Sequence, residues 1–95
     1  MKSISEILEK NSRANRASLV VFISCGDPDI DFTEKLAKAA CAAGADIVEL
    51  GVPFSDPMAD GPTIQAAGQR ALASGTTLEK VIEMSGRLRA GGLEN

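Results

Sequence analysis

The stretch that decides the fold of this chain is VELGVPFSDPMADGPTIQ, which runs from Val48 to Gln65. It begins as an apolar strand and ends as the start of a helix. It places one carboxylate, Glu49, inside the strand and two more, Asp56 and Asp60, in a loop that two prolines stiffen. The elements on either side of this stretch determine where those carboxylates lie.

Strands and helices alternate along the chain. The continuous apolar run over Ser18–Cys25 is typical of a strand buried on both faces, and Ala45–Gly51 predicts a second one. Between them, Asp31 as a helix cap with Glu34 three residues later predicts a capping box, and Gly44 suits the end of that helix. The sequence therefore predicts a strand, a helix and a second strand in that order.

Four helical segments are predicted in all. The first covers about residues 3–9, and the third begins at Pro62, which suits a first helical turn. The last begins at a capping box of Thr76 with Glu79. Apolar spacing predicts the inner faces of the last three helices, which are Phe32, Leu36, Ala39 and Ala43, then Ile64, Ala67 and Ala71, then Leu78, Val81, Ile82, Ser85 and Leu88.

This order is βαβα with a leading helix, which indicates an α/β fold with parallel strands and right-handed crossovers. Rossmann-like sheets and barrels both begin in this way. The first βα turn, SCGDPDID, lacks a GxGxxG pattern, and the chain has no P-loop, so nucleotide binding loses its main support. Two parallel strands leave two open edges, which predicts the opening part of a larger fold or self-association through those edges.

The composition excludes several classes of function. The net charge of −3 and the scattered Lys and Arg argue against nucleic-acid binding, which would show a basic stripe. No apolar run is long enough to span a membrane, and the N-terminus lacks the apolar core of a signal peptide, so we expect a cytoplasmic protein. Cys25 and Cys41 lack CxxC spacing and the chain has no His, which predicts buried free thiols rather than a zinc site.

Side-chain alternation places Glu49 on the same strand face as Ile47, while Phe22 shares a face with Val20 in the first strand. If these faces point into a barrel, Glu49 lies near the carboxyl end of its strand, where barrel enzymes keep their chemistry. Apolar neighbours would enclose it there, and a carboxylate in that position suits proton transfer.

Other interpretations of the three carboxylates stay open. Glu49 could face water at a strand end or pair with a lysine. Asp60 could cap the helix that starts at Pro62. Glu49, Asp56 and Asp60 together could bind a divalent cation, since carboxylates are hard oxygen ligands, although no metal-specific spacing is present.

The segment ADIVELGVPFSDPMADGPTIQ resembles the signature region of the tryptophan synthase alpha subunit family. CGDPD after the first strand and the ALASGTT helix junction are similar to that family as well. The resemblance runs from about Leu19 to Arg89 and covers the first quarter to third of a complete alpha subunit. It implies that this chain forms the first two βα units, with a leading helix, of a TIM (β/α)₈ barrel.

The resemblance also implies an activity in tryptophan biosynthesis. Members of this family are lyases that cleave indole-3-glycerol phosphate to indole and glyceraldehyde 3-phosphate. By resemblance, Glu49 is the acid/base of this retro-aldol step, Asp60 accepts a hydrogen bond from the indole N–H, and Phe22 lines the indole pocket.

A partner follows from the same resemblance. The segment that meets the beta subunit in an alpha₂beta₂ complex corresponds to Pro53, Phe54, Ser55, Asp56, Pro57 and Met58. Pyridoxal phosphate belongs to that beta partner, so no cofactor is expected in this chain.

The family's phosphate site and its flexible loop come late in the barrel and have no counterpart in residues 1–95. We therefore expect these residues to be the N-terminal portion of a barrel domain, incomplete and inactive by itself. The alternative is a catalytically inactive module that self-associates or binds the beta subunit.

Overall fold

The computed structural model describes residues 3–55 and 59–93 of the chain. The described part contains four helices and two strands, and the strands form one sheet. In chain order the elements are α1 (Ile4–Arg13), β1 (Val20–Ser24), α2 (Ile30–Ala42), β2 (Ile47–Gly51), α3 (Pro62–Ala73) and α4 (Leu78–Ala90).

Strands β1 and β2 pair in parallel, as the alternation of elements predicted. Val20 lies opposite Ile47, and Phe22 lies opposite Glu49. Below the first ladder pair, the Leu19 N–H donates to Asp46 Oδ2 at 2.8 Å, which ties the entry of one strand to the entry of the other. Both strands begin two residues later than predicted, and β1 also ends one residue earlier, at Ser24.

Helices α2 and α4 cover one face of the sheet. That face carries Val21 and Ile23 from β1 and Val48 and Leu50 from β2. The buried cluster beneath the two helices consists of Ile23, Cys25, Ala37, Val81, Met84 and Leu88.

The opposite face of the sheet is open in the described part of the chain. Val20 is 47% exposed and Phe22 is 50% exposed, and Glu49 is exposed beside them. This is the face that side-chain alternation placed toward the inside of a barrel. Val20 and Phe22 are about half exposed on it, whereas Ile47 is half-buried.

The predicted helix caps are each shifted along the chain. The cap of α2 is Asp29, not Asp31, because Asp29 Oδ1 accepts the Phe32 N–H at 2.7 Å while Asp31 already lies in the first turn. The cap of α4 is Thr77, not Thr76, and its hydroxyl accepts the Lys80 N–H at 3.3 Å. Both helices therefore keep the predicted kind of cap at a neighbouring polar residue.

The predicted inner face of α2 is wrong. Phe32 and Leu36 are 49% and 40% exposed, whereas Thr33 and Ala37 are fully buried. This helix packs against both strands and against α4, so small side chains face the crowded side and allow close approach. The Thr33 hydroxyl is satisfied there, since it donates to the Asp29 carbonyl at 3.0 Å and accepts the Gly26 N–H at 2.8 Å.

The predicted inner face of α4 is partly right. Val81 and Leu88 are buried, as predicted, but Met84 is fully buried in place of Ile82, which is 61% exposed. Positions 81, 84 and 88 follow helical spacing, and Ile82 lies about a third of a turn away from them.

Helix α3 begins at Pro62, as predicted, with Gly61 as its N-cap. Ala67 and Ala71 are buried, as predicted, and Ile64 is 38% exposed. The helix contacts β1, and the hydroxyl of its C-cap residue Ser74 lies 2.9 Å from the Gly26 carbonyl oxygen, just after that strand. This places the loop between β2 and α3 above the end of the sheet.

Replacing Met84 with alanine should destabilise the fold strongly. Met84 is 0% exposed in the core cluster, and truncating a buried methionine to alanine costs about 2–5 kcal/mol. Urea unfolding followed by circular dichroism would measure the loss. Ile82→Ala is the matched control on the same helix, because Ile82 is 61% exposed and should change stability little. Equal destabilisation by the two substitutions would contradict the assigned core face.

Candidate functional site

An open cleft lies at the carboxyl end of β1 and β2. One wall comes from the end of β1, the floor from the end of β2 and its following loop, and the other wall from α3. The lining residues are Phe22, Ser24, Cys25, Gly51, Val52, Pro53, Phe54, Asp60, Ile64, Gln65, Gly68 and Ala71. The cleft thus combines apolar surface with a single carboxylate among its described lining residues.

Phe22 and Gly51 make the closest approach at the base of the cleft. A Cβ atom added at Gly51 would clash with the Phe22 ring, whose Cε2 would lie 2.8 Å from it. Glycine at the end of β2 therefore leaves room for the aromatic ring of the neighbouring strand. This room allows the Phe22 ring to lie over the end of β2 while half of the side chain stays exposed.

Glu49 lies beside the cleft rather than in its described lining. It is directly opposite Phe22 in the ladder, and its side chain is exposed on the open face of the sheet. The predicted enclosure by apolar neighbours is therefore not present in the described chain, because no described element covers this face. The Glu49 side chain does lie on the predicted face of the sheet, since it shares the open face with Phe22.

Asp60 lines the cleft at the end of the loop, just before α3. Its carboxylate does not cap that helix, because Gly61 is the N-cap and makes no side-chain cap hydrogen bond. The capping alternative is thus excluded. The backbone carbonyl of Asp60 accepts a hydrogen bond from Gln65 Nε2 at 2.7 Å, which fastens this end of the loop to the first turns of α3.

The loop after β2 carries the residues predicted to face a partner. Pro53 is half-buried in the cleft lining, Phe54 is 64% exposed, and Ser55 is exposed. Asp56, Pro57 and Met58 lie outside the described residues. The described part of the loop therefore presents an aromatic side chain to solvent at the rim of the cleft.

Cys25 forms part of the cleft and of the core at once, and its side chain is fully buried. Burial raises the pKa of the Cys25 thiol to about 11, so the thiol is neutral at physiological pH and is not an activated nucleophile. The prediction of a buried free thiol is confirmed for Cys25. Cys41 is also free but only half-buried.

Within residues 3–55 and 59–93, no three or more His, Cys, Asp or Glu side chains form a group that could hold a metal ion. The metal alternative raised above includes Asp56, which lies outside those ranges. In the same part of the chain, no helix is long and apolar enough to cross a membrane.

Sequence reasoning missed two features of the cleft. Gln65 was not singled out, and only the folded structure brings its amide to the Asp60 carbonyl. The role of Gly51 could have been inferred, because a glycine within a strand often marks close approach by a neighbouring group.

Comparison with known proteins identifies the family of this chain. A family model described as tryptophan synthase alpha chain matches residues 8–95. The chain belongs to the tryptophan synthase alpha chain family. The tryptophan synthase alpha chain of Geobacter sulfurreducens is 54% identical over 89 residues, which are 94% of this chain and 34% of that relative. This chain therefore spans about a third of the length of the curated alpha chains it matches.

Solved structures agree with the family match. The tryptophan synthase alpha subunit of Legionella pneumophila str. Paris aligns with a TM-score of 0.90 and 41% identity, over 95% of this chain and 34% of that chain. A chain in the aminoacrylate-bound tryptophan synthase of M. tuberculosis aligns with a TM-score of 0.87 and 32% identity, over 93% of this chain and 36% of that chain. The fold is therefore the first two βα units, with a leading helix, of the alpha chain's TIM barrel.

Gly51→Ala should displace the Phe22 ring from the base of the cleft. The new methyl group would overlap the ring, and the half-exposed Phe22 side chain has room to rotate outward. In a chain with labelled phenylalanine rings, NMR should show the largest shift at Phe22. Gly68→Ala is the matched control in the same cleft, because a Cβ at Gly68 meets nothing within 4 Å. An unmoved Phe22 resonance in folded Gly51→Ala protein would contradict the assigned contact.

Proposed function

We propose that this chain supplies the proton-transfer group and the indole-binding groups of an alpha-chain enzyme. The reaction is the cleavage of indole-3-glycerol phosphate to indole and glyceraldehyde 3-phosphate, a lyase step of tryptophan biosynthesis. The observation that carries the proposal is the cleft that joins Phe22 and Asp60, with Glu49 opposite Phe22 in the ladder, in a chain of this family. Family membership also favours this enzyme over a self-associating module without catalysis.

Glu49 is proposed to move protons in two directions. The carboxylic acid donates a proton to indole C3, and the resulting carboxylate takes the proton of the adjacent glycerol hydroxyl. The carbon–carbon bond then breaks, its electron pair returns to the indole ring, and the hydroxyl carbon becomes the aldehyde. One carboxyl group thereby ends in its starting protonation state, which suits a single acid/base on one side of the substrate.

Asp60 and Phe22 are proposed to bind the indole. Protonation at C3 makes the ring nitrogen positive, and a carboxylate that accepts the N–H hydrogen bond stabilises this charge more than it stabilises the neutral substrate. The half-exposed Phe22 ring offers an apolar surface to the aromatic substrate. The apolar contact from Ile64 on α3 adds to that surface, since Ile64 lines the same cleft.

The loop after β2 is proposed to meet a tryptophan synthase beta subunit through Pro53, Phe54, Ser55, Asp56, Pro57 and Met58. The support is the 64% exposed Phe54 at the rim of the cleft, because aromatic side chains are enriched at protein interfaces. An interface there would lie next to the proposed site of indole release. Pyridoxal phosphate is proposed to reside in the beta partner, and this chain is proposed to need no cofactor.

The remaining proposals concern the whole protein. We propose a cytoplasmic alpha₂beta₂ oligomer in which residues 1–95 form the N-terminal portion of one barrel domain. The open sheet face, with Val20 and Phe22 about half exposed, supports this assignment because a barrel would cover it.

Glu49→Gln should remove the activity of a complete alpha chain that carries this sequence. Such a chain can be made by joining residues 1–95 to the last two thirds of the Geobacter sulfurreducens alpha chain, and is called the chimeric alpha chain below. The amide keeps the shape of the side chain but cannot transfer protons, and losing a positioned acid/base costs about 10²–10⁴-fold in rate. Indole release from indole-3-glycerol phosphate measures the effect.

The control for this experiment is Glu79→Gln, an equally conservative change at an exposed glutamate in the first turn of α4. It should leave indole release within about twofold of the unmodified chimeric alpha chain, as surface substitutions usually do. Comparable turnover by the Glu49→Gln and unmodified forms would sink the assignment of Glu49.

Phe54→Ala should weaken binding of a beta subunit to the chimeric alpha chain. Loss of an aromatic side chain from the centre of an interface typically costs about 2 kcal/mol or more, which is roughly thirtyfold in Kd. Titration with beta subunit followed by calorimetry measures the change. Ile82→Ala removes a side chain of similar exposure, 61% against 64%, from α4, which contributes no residue to the described lining of the cleft, and should leave Kd unchanged. Equal affinities for the two variants would refute the proposed interface.

A further inference from the structure

The two walls of the cleft belong to elements that are far apart in the chain, and an ion pair joins them. Arg70 on α3 donates from Nε to Asp27 Oδ1 at 2.8 Å and from Nη2 to Asp27 Oδ2 at 3.0 Å. Asp27 lies in the turn just after β1, the strand that carries Phe22. Two parallel hydrogen bonds between a guanidinium and a carboxylate fix orientation as well as distance.

The end of α3 is seated on the same turn by two further contacts. The Ser74 hydroxyl lies 2.9 Å from the Gly26 carbonyl oxygen, within hydrogen-bond distance. Thr76 packs directly on Gly26, where an added Cβ would lie 2.7 Å from the Thr76 Cβ. Gly26 also has a φ of 91°, a conformation that favours glycine. The turn after β1 therefore fixes the position of the last turns of α3.

Helix α3 transmits this placement to the cleft. Its first residue is Pro62, two positions after Asp60, and Gln65 Nε2 donates to the Asp60 carbonyl at 2.7 Å. A continuous path of contacts thus runs from Asp27 through Arg70 and the helix to Asp60. Moving the helix away from the turn after β1 would move Asp60 relative to Phe22.

We propose that Arg70 and Asp27 are a positioning pair, which sets the separation between the indole-binding surface at Phe22 and the hydrogen-bond acceptor at Asp60. The inference rests on the function proposed above. Neither residue needs to contact the substrate for this role. Their effect is on the geometry of the cleft, where a displacement of about 1 Å can cost about 10²-fold in rate.

A second ion pair in the chain provides a matched comparison. Arg87 Nε donates to Glu34 Oε1 at 2.8 Å and links α4 to α2 on the covered side of the sheet, away from the cleft. The exposures of the two pairs are alike, with 58% and 20% for Arg70 and Asp27 and 49% and 19% for Arg87 and Glu34. A general stabilising role would make the loss of either pair change only the stability of the fold, whereas a positioning role makes the loss of the Arg70–Asp27 pair change the cleft as well.

The pair is intact under ordinary assay conditions. The hydrogen bonds and the charge of Arg70 hold the pKa of Asp27 below its usual value, so Asp27 is ionised at neutral pH. This stabilisation is present above the pKa of Asp27 in the unfolded chain and is lost as pH falls through its lowered pKa in the folded state. Measurements at neutral pH therefore compare protein in which Arg70 and Asp27 are paired with variants in which this ion pair is absent.

The first test measures hydrogen exchange in the chimeric alpha chain, without substrate. Arg70→Gln should make backbone amides in residues 59–68 exchange roughly two- to fivefold faster, because the helix that anchors them loses its tie. Arg87→Gln should leave this segment unchanged and affect α4 instead. Unchanged exchange in residues 59–68 of Arg70→Gln would overturn the proposal, whether or not the proposed reaction is correct.

The second test measures kcat and KM for indole release by the same proteins. Arg70→Gln should lower kcat/KM by roughly 10- to 100-fold at a temperature where it is fully folded, while Arg87→Gln stays within about twofold. Arg70→Lys, which keeps the charge but not the paired hydrogen bonds, should lie between the two. Equal kcat/KM for Arg70→Gln and Arg87→Gln would overturn the positioning role. An inactive unmodified chimeric alpha chain would instead count against the proposed reaction, and the exchange measurement would still decide the positioning role.

Discussion

The apolar contact between one face of the β1–β2 ladder and helices α2 and α4 holds the described chain together. A parallel sheet usually needs cover on both faces, and the described residues cover only one face of this sheet. The covered face supplies the core around Ile23 and Met84, which are 5% and 0% exposed. The open face supplies Phe22 and Glu49. Side chains alternate along the two short strands, so one face supplies the core and the other supplies the candidate site residues.

This division explains why Glu49 is exposed in a family whose fold is a closed barrel. Enclosure of a barrel interior comes from all the strands together, and two strands cannot provide it. The register already aligns Glu49 with Phe22, so the direction of both side chains is a local property of the ladder. Exclusion of water from the site is a property of a whole barrel. Orientation and desolvation are thus set at different levels of the same fold.

The predictable parts of the fold were those set by local chemistry. The apolar run of β1, the proline that opens α3 and the glycine at position 44, which has a φ of 116°, all produced the expected elements. The exact caps were not predictable, because aspartates and threonines two or fewer positions apart are equally good caps. The buried face of α2 was mistaken because periodicity favours large residues such as Phe32. Packing against three neighbours instead selected Thr33 and Ala37.

The candidate site divides in the same way. Phe22 and Asp60 could be proposed from the sequence through the family resemblance, Phe22 in β1 and Asp60 at the end of the loop after β2. The contacts that hold Asp60 in place could not, because Arg70 and Asp27 are 43 residues apart, and the CGDPD segment that contains Asp27 does not indicate its partner. Charged residues at helix surfaces usually face solvent, so nothing in the sequence separates this arginine from Arg87. Only the crossover of the chain brings it to the turn after β1.

Cys25 contributes to both the core and the cleft. Its fully buried side chain belongs to the core cluster and also lines the cleft. A larger residue at this position would intrude on the cleft, and a smaller one would leave a void beneath the helices. The Cys25 side chain is therefore subject to two requirements at once, the fit of a ligand in the cleft and the packing of the core. A substitution at position 25 must satisfy both requirements. Fewer substitutions are therefore tolerated there than at the exposed carboxylates nearby.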